Sequence, residues 1–410
     1  MSWTLRPDIT FLNHGSFGAA PSSVQRAQAE IRARLEAEPV DFFLRAYGDA
    51  LDAARAALAT FVGARSDDLV LVDNATTGVA TVVASWRLQP GDAVLALDHG
   101  YPACRNALLR RAAETGARIT TARLPLPLPD DADAAEDAVV DAVLGACTPE
   151  TRFALLDQVT SPSALVLPID RLVGALRERG VETLVDAAHA PGMLPLDLDR
   201  TGAAWTTGNL HKWLCAPKGA AFLHLRADLH EDADGALRTP PLVTSHGDRG
   251  PTQGRSRLHA TFDWCGTRDP SPWLAIPAAI EAVFETHPGG WPERMAANHA
   301  LAVAMRERLL AALPAQPLGP TSMMGSMAAV RLDDALAPAI GRLPEGQPVS
   351  IDPLQDALFR RWRIEVPVIP EPGATGGRYL RVSAQAYNRI EQVDRLVEAV
   401  RSLLELRDDG

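Results

Sequence analysis

Short apolar runs, each closed by a polar turn, recur along the first two-thirds of this chain and alternate with stretches of helical periodicity. The runs at 69–73, 93–97, 118–122, 152–157, 181–185, 203–207 and 220–225 are strand-like, and 181–185, entered from Gly180, reads as a short apolar strand that is buried. Helical stretches at 79–87 and 103–115 separate the first of them. The pattern predicts an α/β domain in which about seven strands share one mostly parallel sheet.

Proline alternates with leucine at 125–129, which reads as an extended connector. The acids of 130–141 lie among alanines and valines with no interleaved histidine, and read as a solvated helix face. Residues 238–272, rich in Gly, Pro, Ser and Thr, predict a long irregular segment over the active face. From about 288 the character changes: helical 291–313, strand-like 327–332, helical 353–362, strand-like 364–369 and 379–383, and helical 390–405 predict a smaller α+β domain. The expected organisation is an N-terminal segment 1–20, a large domain 21–287 and a small domain 288–410, without internal repeats.

With 410 residues, the chain can bury a large core. A formal net charge of -11 argues against polyanionic partners, so neither nucleic acid nor an anionic membrane surface is expected. The four cysteines, Cys104, Cys147, Cys215 and Cys265, show no CxxC spacing, so neither a disulfide framework nor a structural zinc site is expected. No apolar core follows a basic head near Met1, and no stretch approaches membrane-spanning length. A cytoplasmic protein is the expectation.

The chemistry concentrates in Val185-Asp186-Ala187-Ala188-His189 and Gly208-Asn209-Leu210-His211-Lys212-Trp213. Asp186 ends a predicted strand, where open α/β sheets bind ligands, and a turn aspartate is the competing reading. Lys212 stands among Trp205, Leu210, Trp213, Leu214 and Cys215, surroundings that lower an amine's pKa. A carboxylate and an amine at two strand ends suit pyridoxal phosphate (PLP): the amine forms a Schiff base with the aldehyde, and the carboxylate keeps the ring nitrogen protonated. A nicotinamide dehydrogenase would need a GxGxxG after the first strand, and none occurs.

Asn74-Ala75-Thr76-Thr77-Gly78 joins strand to helix and reads either as an anion site or as a capped helix start. His99 and Tyr101 follow the next strand, where an aromatic face can cover a ring. His189 and His211 lack a third partner at zinc spacing and are read as contacts to cofactor or phosphate. Arg381 suits a substrate carboxylate, with a surface ion pair as the alternative.

Taken in order, Phe11-Leu-Asn-His-Gly-Ser-Phe-Gly-Ala-Ala-Pro21, Asn74-Ala-Thr-Thr-Gly78, Asp157-Gln-Val-Thr-Ser-Pro162, Asp186-Ala-Ala-His189, Gly208-Asn-Leu-His-Lys212, Gly266-Thr267 and Arg381-Val-Ser-Ala-Gln-Ala-Tyr-Asn388 resemble the class V aminotransferase-fold PLP enzymes, especially the isopenicillin N epimerase-like branch. The resemblance spans nearly the whole chain. It implies the fold type I PLP-dependent transferase fold, with Lys212 as Schiff-base lysine, Asp186 on the ring nitrogen and His189 near the phenolic oxygen. Thr76, Thr77, Asn209 and His211 would hold the phosphate, and Thr267 would reach it from a neighbouring subunit of a homodimer. Tyr101 or His99 would stack on the ring. Arg381 would bind the substrate carboxylate, with Asn13, His14 and Ser16 of the N-terminal segment at the substrate mouth.

The expected reaction is epimerisation or racemisation at Cα of an amino-acid-type substrate, followed by C–S lyase elimination and then transamination. Desulfuration through a mobile cysteine of the small domain is disfavoured, because no cysteine occurs in 266–410. Substrate specificity is expected in 238–260 and around Arg45 and Tyr47. A non-catalytic scaffold would be expected to lack Lys212 or Asp186, and both are present.

Overall fold

Seven strands form the central sheet: β2 (Leu69–Val72), β3 (Ala93–Leu97), β4 (Arg118–Ala122), β5 (Thr151–Asp157), β6 (Glu182–Asp186), β7 (Trp205–Asn209) and β8 (Ala221–Leu225). Their order is β2-β8-β7-β6-β5-β3-β4, and β8 runs antiparallel to both of its neighbours while the rest are parallel. This computed structural model describes residues 1–245, 254–336, 351–373 and 377–405.

The continuous hydrophobicity of the strands follows from their two covered faces. Val94, Ala96, Leu155 and Leu184 pack with Val79, Val82 and Leu108 from helices Ala75–Ser85 and Pro102–Thr115. Their strand neighbours Leu95, Leu97, Leu156 and Val185 point the other way, toward Val139, Val143, Leu172 and Leu176 of helices Ala132–Gly145 and Ile169–Glu178. At the β2–β8 end a third cluster seats Leu69, Leu71 and Phe222 against Leu51 and Leu58 of helix Tyr47–Val62. A helix needs a close approach here: a Cβ at Gly78 would overlap Thr207 Oγ1.

The C-terminal part builds a four-stranded antiparallel sheet, ordered β12 (Val368–Pro370), β13 (Arg378–Ser383), β10 (Met327–Leu332) and β9 (Ala315–Pro317). Helices Gly290–Ala312, Pro353–Trp362 and Glu391–Glu405 accompany it. The predicted strand 364–369 is broken in two, because Pro367 has no N–H to extend a ladder. Its first half, β11 (Ile364–Glu365), pairs in parallel with β1 (Thr10–Phe11) as a separate two-stranded sheet, which ties the N-terminal segment to the C-terminal part. Helices Ser22–Ala37 and Tyr47–Val62 carry no predicted element, and the predicted irregular segment contains a short helix, Arg257–Phe262. Its stretch 246–253 lies outside the described residues, as do 337–350, 374–376 and 406–410 of the predicted small domain.

Candidate active site

The carboxyl ends of β5, β6 and β7 and the N-terminus of helix Ala75–Ser85 surround a cavity of about 370 Å³. Ser16, Thr76, Tyr101, Asp157, Ser161, Asp186, His189, Asn209, His211, Lys212 and Lys218 are among the residues lining it. Ligands collect at this edge of an α/β sheet because strand ends and helix N-termini converge there.

Asp186 is the last residue of β6 and is buried. One of its oxygens accepts the Ala188 N–H at 3.0 Å, and the other accepts the Cys104 thiol at 3.2 Å. In register beside it, Asp157 accepts the Tyr101 N–H at 3.2 Å. Burial raises both carboxyls above the ordinary range, and the charge of Asp186 raises Asp157 further. Two adjacent buried carboxyls supported by so few donors require a cationic or proton-donating partner in the cavity.

Lys212 sits in the turn after β7, partly exposed toward that cavity, with its amine enclosed by protein. Burial lowers its pKa to about 8, helped by the positive charge of Arg381. The Nζ atom lies 3.2 Å from His189 Nε2, and His189 Nδ1 accepts the Trp213 indole N–H at 3.3 Å. An indole N–H can only donate, so the neutral His189 ring carries its proton on Nε2 and the lysine amine accepts it. That arrangement favours the free amine of Lys212, the nucleophilic form, once the pH exceeds about 8.

Asn74 caps helix Ala75–Ser85 by accepting the Thr77 N–H at 2.8 Å and the Thr77 hydroxyl at 3.1 Å. Asn209 Oδ1 accepts the Ala75 N–H at 2.8 Å, which ties β7 to the same helix start. This turn is a capped helix start, and that start faces the cavity with Thr76 on its wall. His211 adds a ring whose Nδ1 is buried without a hydrogen-bond partner among the described residues, and whose pKa burial lowers to about 4.

Arg381, on β13, is buried, and its pKa is lowered by burial to about 10. It donates to the Ser161 carbonyl and, at 3.3 Å, to the hydroxyls of Ser161 and Ser16, both on the cavity wall. Nε has no partner, and no carboxylate pairs with the guanidinium among the described residues. A buried guanidinium without a counterion is costly, so the site is built for an anion.

The other expected residues divide. Tyr101 lines the cavity and stays 42% exposed, whereas His99 is buried and bonded to Ser163 Oγ at 2.8 Å, away from the wall. Among the three N-terminal candidates only Ser16 faces the cavity. Asn13 bonds Glu365 at 3.0 Å and accepts the Ser16 hydroxyl, while His14 lies behind the lysine, its ring within 3.0 Å of the Lys212 carbonyl and 2.8 Å of the Tyr387 hydroxyl. The Thr77 hydroxyl is taken by Asn74, and Thr267 is exposed, outside the cavity of its own chain. Cys104, Asp157, Ser161 and Lys218 belong to the site without having been assigned a role from sequence. Asp157 and Ser161 stand in a motif already singled out, but Cys104 carries no local signal: it is one apolar-looking position on a helix.

The sequence pattern of the aminotransferase class-V family matches residues 40–316. The chain is 37% identical to isopenicillin N epimerase of Amycolatopsis lactamdurans over 98% of its own length and 96% of the relative's. It is 32% identical to a putative L-cysteine desulfhydrase of Oryza sativa, covering 97% and 83% of the two chains. Among solved structures, the cystine C–S lyase C-DES in complex with its product cysteine persulfide superposes with a TM-score of 0.79 at 20% identity, covering 96% of this chain and 97% of the other.

Proposed function

The chain belongs to the class V aminotransferase family, and from that premise we propose that it is a PLP enzyme inverting configuration at Cα of an amino-acid-type substrate, an epimerase or racemase resembling isopenicillin N epimerase. The observation that carries this reading is one cavity lined by a desolvated amine and a buried carboxyl pair, with a buried guanidinium that lacks a carboxylate partner among the described residues hydrogen-bonded to its wall at Ser161 and Ser16. PLP, when bound, supplies an aldehyde for attachment and a conjugated ring that takes up the electrons of a broken bond at Cα.

Every other part of the work falls to the chain. Asp186 holds a proton at the ring nitrogen, and the Cys104 thiol and Ala188 N–H keep its carboxylate oriented. The N-terminus of helix Ala75–Ser85, with Thr76 and His211, receives the phosphate. Tyr101 covers one face of the ring, and His189 sits beside the lysine amine, fixing it as proton acceptor. Arg381 pairs with the substrate carboxylate, presenting the Cα–H to Lys212, which removes the proton. Inversion then requires a proton returned to the opposite face. Thr267, exposed and unused within its own chain, reaches the site of a second copy in a homodimer, and the setting is cytoplasmic.

The test is direct. Purified protein should carry a yellow cofactor that borohydride fixes to Lys212, detectable by peptide mass spectrometry. Incubation with amino-acid panels in deuterated water should then place solvent label at Cα with inverted configuration. A second reading, C–S lyase elimination, is favoured by the desulfhydrase relative and would appear as pyruvate with released sulfide. Recovery of a single enantiomer without label would reject the epimerase.

A further inference from the structure

At the end of the central sheet opposite the cavity, three side chains from separate stretches of sequence converge. Asp68 closes the turn Ser66–Asp68 that enters β2, Asp199 stands on the short helix Leu198–Thr201, and His224 lies on β8, paired across to Leu69 and Thr206. One ligand atom from each lies within 4.8 Å of the other two. His224 is only 2% exposed, and neither of its ring nitrogens has a hydrogen-bond partner among the described residues. Its Nε2 approaches Asp199 Oδ1 to 3.5 Å, too far for a hydrogen bond of ordinary strength. It matches the roughly 3.3–3.5 Å that separates two N/O ligands of a tetrahedral zinc ion.

The backbone holds this constellation in place. The Asp199 N–H donates to the Gly63 carbonyl at 3.1 Å. Gly63, in the left-handed region at φ 62°, packs so closely on Asp197 that a side chain there would meet its Cα. The His230 ring Nε2 contacts Asp68 Oδ1 at 3.1 Å and the Leu225 carbonyl at 3.2 Å, so as an N–H donor it orients the carboxylate as outer-shell partners of metal ligands do. The competing cation is Arg65, whose guanidinium lies 3.9 Å from Asp68 Oδ2 and remains 66% exposed.

We propose that Asp68, Asp199 and His224 form a structural site for a divalent zinc-class cation, with His230 orienting Asp68. Two carboxylates and an imidazole suit such an ion, and a water completes four-fold coordination. The ion ties the entry of β2, the end of β8 and the helix before β7 into one corner, remote from the cofactor cavity.

The experiment uses chelator-treated, PLP-loaded enzyme titrated with zinc ion alone by calorimetry, with metal content measured after gel filtration. Wild type should retain about one equivalent. Asp199→Asn, at an exposed position that tolerates the change, should lose it, and His230→Gln should weaken binding by about 10–100-fold. Turnover should be unchanged in Asp199→Asn. Cobalt in place of zinc should give a tetrahedral spectrum without thiolate charge transfer. Equal zinc binding by wild type and Asp199→Asn, no binding by wild type, or a thiolate signature placing the ion on Cys147 or Cys265 would overturn the proposal.

Discussion

The two ends of the central sheet hold buried ionisable groups for different reasons. At the carboxyl end, Asp157, Asp186, His189 and Lys212 crowd a cavity and shift one another's protonation, lowering the amine's pKa to about 8 and raising the carboxyls. At the amino end, Asp68 and His224 are buried and meet Asp199 at a corner that opens to solvent on the Asp199 side. Shared architecture therefore does not mean shared role. A cavity of about 370 Å³ at the first end has room for a ligand of some size, whereas at the second end three ligand atoms within 4.8 Å of one another leave room for an ion.

The sharpest way to break this contrast is to remove the amine. Lys212→Ala should end covalent cofactor capture and lower turnover by at least about 10³-fold, measured by absorbance and steady-state kinetics, since nucleophile and base are lost together. Arg381→Met should come next, with kcat/KM falling about 10–100-fold and most of the loss in KM, because the substrate carboxylate loses its charged partner. Residual activity equal to wild type would detach Arg381 from the substrate.

A pH series refines the picture. An amine with a pKa lowered to about 8 is free above that pH, so the rate of PLP capture by the apoenzyme should rise with pH and level off above about 8. An unperturbed lysine would keep rising toward its ordinary value near 10.5. Stopped-flow absorbance distinguishes the two. The smallest effect belongs to the amino end: Asp199→Asn should leave turnover intact and abolish a zinc-dependent rise in Tm of about 2–5 °C in wild type, read by scanning calorimetry.

Much of this was legible from residues alone. Most of the central strands announced themselves as apolar runs because both sheet faces are covered by helices, whereas the edge strand Arg118–Ala122 is only partly buried and carries polar residues. The placement of Asp186 and Lys212 at the cavity was legible because Asp186 ends β6 and Lys212 stands in the turn after β7. The break at Pro367 and the strand pairing of Thr10–Phe11 with Ile364–Glu365 were not, since a two-residue ladder leaves no periodicity to read.

Local pattern determined which elements form and that Asp186 and Lys212 stand at strand ends, because strand burial and turn chemistry act over a few neighbours. Tertiary structure alone decided that Tyr101 and not His99 faces the cavity, that Cys104 donates to Asp186, that His14 supports the Lys212 backbone, and that Asp68, Asp199 and His224 meet. Those outcomes depend on how separate elements are brought together in register. A buried polar atom's partner is set by that assembly, and no spacing along the chain encodes it.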